Sequence, residues 1–240
     1  MTATEQTRPR HIGHLSHHAA VRHGEVRFIP ALAVIAAALS YAALPHDLLF
    51  VPRWLIPGGE TVLLVALVMV NPRRLTTETK LSRISSLVLV ALIILTNTVS
   101  LVLLLRQLTS ANPTAGRELL VAAAQVWGTN MIAFALVFWE LDRGGAVARL
   151  PSSDVPTQRH DFLFPQDDPD TAKLAMGSVD GIWMPVFVDY LYLSMTNSIA
   201  FSPTDTLPLT SRAKLLMAFE SLAAMITSLL VIARAVNIIA

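Results

Sequence analysis

The chain contains no cysteine, which excludes disulfides, thiol nucleophiles and thiolate metal centres. It is also poor in charge. Only 15% of its 240 residues are Asp, Glu, Lys or Arg, against about 25% in an ordinary soluble domain. No phosphate-cradling glycine loop, nucleophile elbow or zinc-ligand pair is present, so no catalytic residue, metal or cofactor is expected and the chain does not read as an enzyme. The formal net charge is +1, with no gathered basic patch of the size nucleic acid requires. Nor is there an internal repeat of the kind that marks many secondary transporters.

In place of charge the chain has apolar runs: 53% of its residues are hydrophobic and the mean hydropathy is +0.55. Spanning ~30 Å of hydrocarbon takes about 20 helical residues. Ile84–Leu105 and Leu119–Trp139 meet that length without a charge. Phe28–Leu44 is shorter but charge-free, Leu55–Val70 is interrupted early by Pro57, Gly58, Gly59 and Glu60, and Leu215–Ile239 carries Glu220 and Arg234. Gly177–Phe201 is apolar and aromatic but holds Asp180, Pro185 and Asp189. The expected fold is therefore an all-α integral membrane bundle of about six transmembrane segments, with the fifth either spanning or re-entrant. Residues 1–27 form a polar tail containing His11, His14, His17, His18 and His23, without the pattern of a cleavable signal. Residues 28–240 make one membrane domain with a long hydrophilic loop at 140–176.

Lys and Arg placement orients such a bundle, because basic residues accumulate on the cytoplasmic side. With six spans and both termini inside, thirteen of the eighteen basic residues fall on the cytoplasmic side. Arg53, Arg106, Arg117, Arg212 and Lys214 fall outside. Trp54, Trp139 and Trp183 lie near span ends, where an aromatic belt belongs. Ala223/Thr227 and Ala224/Ser228 favour close helix packing.

The last quarter of the chain is the most informative. Val188–Val236 runs as an aromatic amphipathic stretch, a polar turn and a long apolar helix. Ser198, Ile199, Ala200, Phe201 and Ser202, followed after two inserted residues by Asp205 and Pro208, resemble the pore module of potassium channels. The stretch is also similar to an uncharacterised bacterial family of multi-span membrane proteins. The first resemblance implies permeation of monovalent cations by a homo-oligomer. In that picture Thr196, Asn197 and Ser198–Ser202 form the constriction, Asp205 the mouth and Asp189 an internal polar site. Ala200 and Ser202 replace both filter glycines, and alanine and serine largely forbid the backbone angles of a carbonyl-lined potassium filter.

Charge placement tests that picture. In the usual orientation the module would leave only four basic residues inside against fourteen outside. Two arrangements survive: six full spans with Ser202–Thr210 outside, which is preferred, or an inverted module that dips in from the cytoplasm. A small-solute or proton-coupled transporter is the alternative function, and a non-transporting interaction protein a third.

Ionisable groups at membrane depth cost about 2.5–3.5 kcal/mol on insertion scales, which marks them for function. Asp189 either lines a cation path or caps a short helix. Glu220 either serves a site or pairs with Lys214 or an arginine. Glu60 either closes a site at a broken helix or marks an interfacial helix start. Asn130, with Asn97, Gln125 and Thr129, either bonds between helices or lines a path.

Overall fold

The computed structural model describes residues 24–109, 116–150, 159–174, 183–201 and 205–239. Among the described residues there are seven α-helices and one pair of two-residue strands. The helices are α1 (Phe28–Ala42), α2 (Leu55–Val70), α3 (Lys80–Thr109), α4 (Gly116–Leu141), the short α5 (Pro169–Leu174), α6 (Phe187–Ala200) and α7 (Ser211–Ile239). Strands β1 (Phe162–Leu163) and β2 (Leu207–Pro208) pair antiparallel. Three of the helices are long and apolar enough to cross a membrane, over Lys80–Gln107, Glu118–Gly144 and Ser211–Ala233. A helix suits that setting because it satisfies its backbone polar groups internally.

Local chemistry explains the helix ends. Thr79 and Ser82 cap α3 reciprocally, each side-chain oxygen accepting the other's backbone N–H at 3.0 and 3.1 Å. Thr210 accepts the Ala213 N–H at the start of α7. In α2 the proline falls in the first turn, where a missing N–H is tolerated, so the helix begins at Leu55 despite the Pro-Gly-Gly run. After α4, Arg143, Gly144 and Gly145 all take positive φ and turn the chain back. A Cβ at Gly145 would collide with the Arg83 guanidinium, so the turn and its neighbour fit only with glycine there.

The contacts set the course of each helix. α1 begins beside the α2–α3 connection, where the Leu75 N–H donates to the Glu25 carbonyl and the Arg27 N–H to the Arg73 carbonyl. α3 begins at the same, proximal end, since Arg83 and Ser86 reach Glu140 near the end of α4. Midway, Asn97 meets Asn130, so α3 and α4 are antiparallel. α6 also starts proximally, with Tyr190 on Asp142, and proceeds inward to Ser194 on the Met131 carbonyl. α7 starts there too, with Arg212 on the Leu141 carbonyl, and descends past Phe134, whose ring lies 6.0 Å from that of Phe219. α6 and α7 therefore descend in the same direction, and the chain between them returns to the proximal end. Val231 packs among Tyr41, Leu44, Leu104 and Leu119 at the distal end.

Several expectations are corrected by this course. Of the segment expected over 177–201 the structure describes 183–201, and there the helix covers Phe187–Ala200, 14 residues or about 21 Å, with Trp183–Val186 outside it. Residues 202–210 and 140–176 were expected on opposite sides, yet Phe162 pairs with Pro208 and Leu163 with Leu207. The first described helix, α1, begins proximally, and α7 runs from the proximal end to the distal one. In the hydrophilic loop expected at 140–176, Asp142, Arg143, Arg149 and Asp161 are buried. Trp54 is 71% exposed, as a belt residue should be, but Trp139 and Trp183 are buried inside the chain. Ala223, Ala224 and Thr227 are buried within the chain. The histidine tail lies outside the described residues.

Candidate functional site

Two carboxylates lie inside the helices, and the helical period supplies their surroundings. On α6, Ser194, Asn197 and Ser198 recur at spacings of three and four and so share one face. That face meets Glu220 of α7, which is fully buried. Ser194 and Ser198 donate their hydroxyls to Oε1, the latter at 3.0 Å, and Asn197 donates Nδ2–H to Oε2 at 2.7 Å. Asn197 is itself held by Ser221 at 3.0 Å and by the Met217 carbonyl at 3.0 Å, and Ser194 also reaches the Met131 carbonyl. Both oxygens of Glu220 are thus hydrogen-bonded by neutral donors. The expected ion pair to Lys214 or an arginine is not formed among the described residues.

Glu60 stands in a different environment. It is 2% exposed on α2, and its Oε2 has no hydrogen-bond partner among the described residues. It lines a cavity of about 10 Å³ between α1, α2, α3 and α4, whose polar lining residues include Ser40, Thr96, Asn97, Ser100, Gln125 and Thr129. Thr96 and Ser100, one helical turn apart on α3, also have unpartnered buried hydroxyl oxygens. Asn97 donates to Asn130 at 3.0 Å, and the Nδ2 of Asn130 is buried without a partner. A volume near 10 Å³ is that of about one water molecule. This is a small chamber with hydroxyl, amide and carboxyl groups set among apolar walls, and one oxygen of its carboxylate is without a partner among the described residues.

The proximal end closes over the bundle with a layer of buried charge. Asp142 accepts the Tyr190 hydroxyl at 2.5 Å and the Asp161 N–H at 2.8 Å, and lies 3.2 Å from Arg143, which reaches Asp167 at 2.7 Å. Arg149 donates to the Trp139 and Asp142 carbonyls and lies over the Tyr190 ring at 5.2 Å. Arg212 binds Asp161 at 2.5 Å, tying α7 to the loop before β1. Glu25 accepts the Trp139 indole N–H at 2.8 Å and the Phe187 N–H at 2.6 Å, joining the entry of α1 to those of α6 and the end of α4. Burial pushes the Glu25 carboxyl above its ordinary range, although nearby Arg149 opposes this. These groups bond one another across the ends of α4, α6 and α7, so the layer reads as a clasp.

The remaining expected site residues divide between these regions. Asp189 sits at the third position of α6 and accepts the Val186 N–H at 2.7 Å, so its carboxylate caps the helix start. Thr196 through Ala200 are helical where an extended constriction was expected. Thr196 returns its hydroxyl to the Tyr192 and Leu193 carbonyls, while Ile199 and Ala200 face outward. Phe201 ends the helix with φ +54°. Ser202 lies outside the described residues, and Asp205 is exposed at the proximal end, beside β2. Sequence reasoning missed the Asp142–Tyr190 and Glu25–Trp139 contacts, which join residues far apart in the chain. The Ser194/Asn197/Ser198 stripe was readable from its period as one inward face. No group of three or more potential ligands arranged to hold a metal occurs among the described residues.

No protein-family model matches the chain, and neither a curated protein nor a solved structure does.

Proposed function

We propose that this chain moves protons, or a single small monovalent cation, through the α1–α4 bundle, with Glu60 as the group that binds the charge. The observation that carries the reading is the unpartnered Glu60 Oε2 beside a small chamber that also holds Thr96, Ser100 and Gln125. An ionisable residue at that depth is costly, and a carboxyl left without a partner is free to exchange one. A chamber the size of about one water favours a proton or small ion over a larger solute.

Access supports the same path. A distal depression of about 510 Å³, lined by Arg53, Glu118 and Gln125, shares Leu44 and Gln125 with the chamber. Proximally, a cleft of about 80 Å³ holds Asn71, Arg83 and Glu140 at its mouth and Val34, Leu64 and Val90 at its floor. Ile93 lines the chamber about one helical turn from Val90. Charge passes when this apolar layer parts, and the resting state is open toward the distal side.

The topology we infer is five full spans with α6 re-entrant from the cytoplasm. Fourteen of the eighteen basic residues then lie on the proximal, cytoplasmic side; Arg53, Arg106, Arg117 and Arg234 lie opposite. The dip and return of α6 is a trait shared with pore modules. Asn197 and Ser198, however, are committed to Glu220 inside the chain, which favours a path through α1–α4 over one along α6.

The deciding experiment is flux into liposomes carrying the purified protein, driven by a potassium diffusion potential. Proton or monovalent-cation flux that Glu60→Gln abolishes is the expected result. Absence of flux for protons and for every monovalent cation would overturn the reading. Single cysteines at His160, Asp205 and Asp47, all exposed positions, fix the topology: the first two label from the cytoplasmic side and the third from the opposite one. Labelling of Asp205 and His160 from different sides would refute the re-entrant course.

A further inference from the structure

The proximal cleft has an amphipathic build that ion movement does not explain. Arg27, at the entry to α1, is 9% exposed; its Nε is buried without a partner and its guanidinium forms no ion pair among the described residues. Glu78 and Glu140, the carboxylates of the cleft, both lie on Arg83, at 3.4 and 2.6 Å, so the cleft's acidic charge is already engaged. Arg27 and Ala31 line this cleft and also an open groove of about 380 Å³ between α1 and α2, where Arg73 and Val68 join them. Below the two arginines the walls are apolar, with Ala31, Val34, Leu64 and Leu67. A cationic mouth at the end of the helices, above an apolar slot open to the side, has the shape of a phospholipid with its headgroup uppermost. Basic pockets between helices at that level hold anionic headgroups.

We infer that the α1–α2 groove binds an anionic lipid, its phosphodiester held by Arg27 and Arg73 and an acyl chain laid along Phe28, Ala31 and Val68. The site stands independently of Glu60, since it requires only that the groove face the bilayer. The buried Arg27 guanidinium gains a directly bonded anion, where the chain offers it only the charge of nearby Glu140, already held by Arg83, and the lipid fills the slot between α1 and α2.

Native mass spectrometry of the full chain in detergent tests this, titrating phosphatidylglycerol or phosphatidylcholine of matched chains. Preferential retention of phosphatidylglycerol is expected, and Arg27→Gln should weaken it about five-fold, the effect of one basic residue at an anionic surface. Arg106→Gln, at the exposed distal end of α3, should leave it unchanged. Ala31→Phe narrows the slot and should lower occupancy with the arginines intact, which decides the matter if Arg27→Gln does not fold. Wild-type occupancy in both variants would overturn the site. So would inorganic phosphate displacing the lipid at equal concentration, since that would show a headgroup pocket without a chain slot.

Discussion

Glu220 and Glu60 are both buried among apolar helices, yet their surroundings are opposite. Glu220 receives three neutral donors across both oxygens, supplied by one face of α6. Glu60 has an oxygen with no partner and a chamber in front of it. Burying a carboxylate costs free energy in either case. In the first, hydrogen bonds recover that cost and fasten α6 to α7. In the second nothing in the chain recovers it, which is the mark of a group kept for exchange. The same bundle thus holds one carboxylate bonded on both oxygens and one with an unpartnered oxygen, and the proposed path rests on that difference.

The strongest way to break that comparison is to remove both. Glu220→Ala leaves Ser198 without its acceptor and opens a cavity, while Ser194 and Asn197 keep the Met131 and Met217 carbonyls. The expected loss is about 2–4 kcal/mol, read as a lower unfolding midpoint in detergent. Glu60→Gln should do the reverse: stability within about 1 kcal/mol of the parent, because the amide replaces an already unsatisfied group, and flux lost. If Glu60→Gln unfolds the protein while Glu220→Ala is silent, the two roles are exchanged and the proposed path fails.

A smaller effect is expected at the clasp. Tyr190→Phe removes the hydroxyl that Asp142 accepts at 2.5 Å, but Asp142 keeps the Asp161 N–H and Arg143. The cost should be about 1–2 kcal/mol, with flux unchanged because no residue of the chamber is touched. A loss of flux at undiminished stability would place the clasp in the path and blur the division drawn above.

Much of this was legible in the residues. The apolar segment Leu55–Val70 coincides with α2, and Ile84–Leu105 and Leu119–Trp139 fall within α3 and α4. Hydrophobic length alone decides such helices. The side on which the last turn sits was not legible: moving Arg212, Lys214 and Arg234 between sides changes a thirteen-to-five division into fourteen-to-four, and both satisfy the positive-inside rule. The pairing of Phe162 with Pro208, 46 positions apart and without local pattern, and the contact of Arg212 with Asp161 favour the second. Glu60 and Glu220 were both visible as suspects. Which one is satisfied depends on the neighbouring helices, so a buried carboxylate read in isolation does not declare its role.

The mildest test concerns a third buried carboxylate, at the proximal end. Glu25 resembles Glu220 in that neutral donors, here two N–H groups, reach both of its oxygens, yet its carboxyl is pushed above the ordinary value of 4.5, chiefly by burial. The folded state therefore holds the Glu25 proton more tightly than the unfolded chain does. Its contribution to stability is full below the unfolded value and falls as pH rises through the higher folded one. Glu25→Gln cannot titrate and should lack this component. The difference in midpoint, wild type minus variant, should decline as pH is raised from about 4.5 toward neutrality. The slope should be shallow, because Arg149 offsets part of the burial effect. A difference that rises with pH would mean that Arg149 and the two N–H donors outweigh burial. Glu25 would then belong with Glu220 as a fully satisfied carboxylate, leaving Glu60 as the exception among the three.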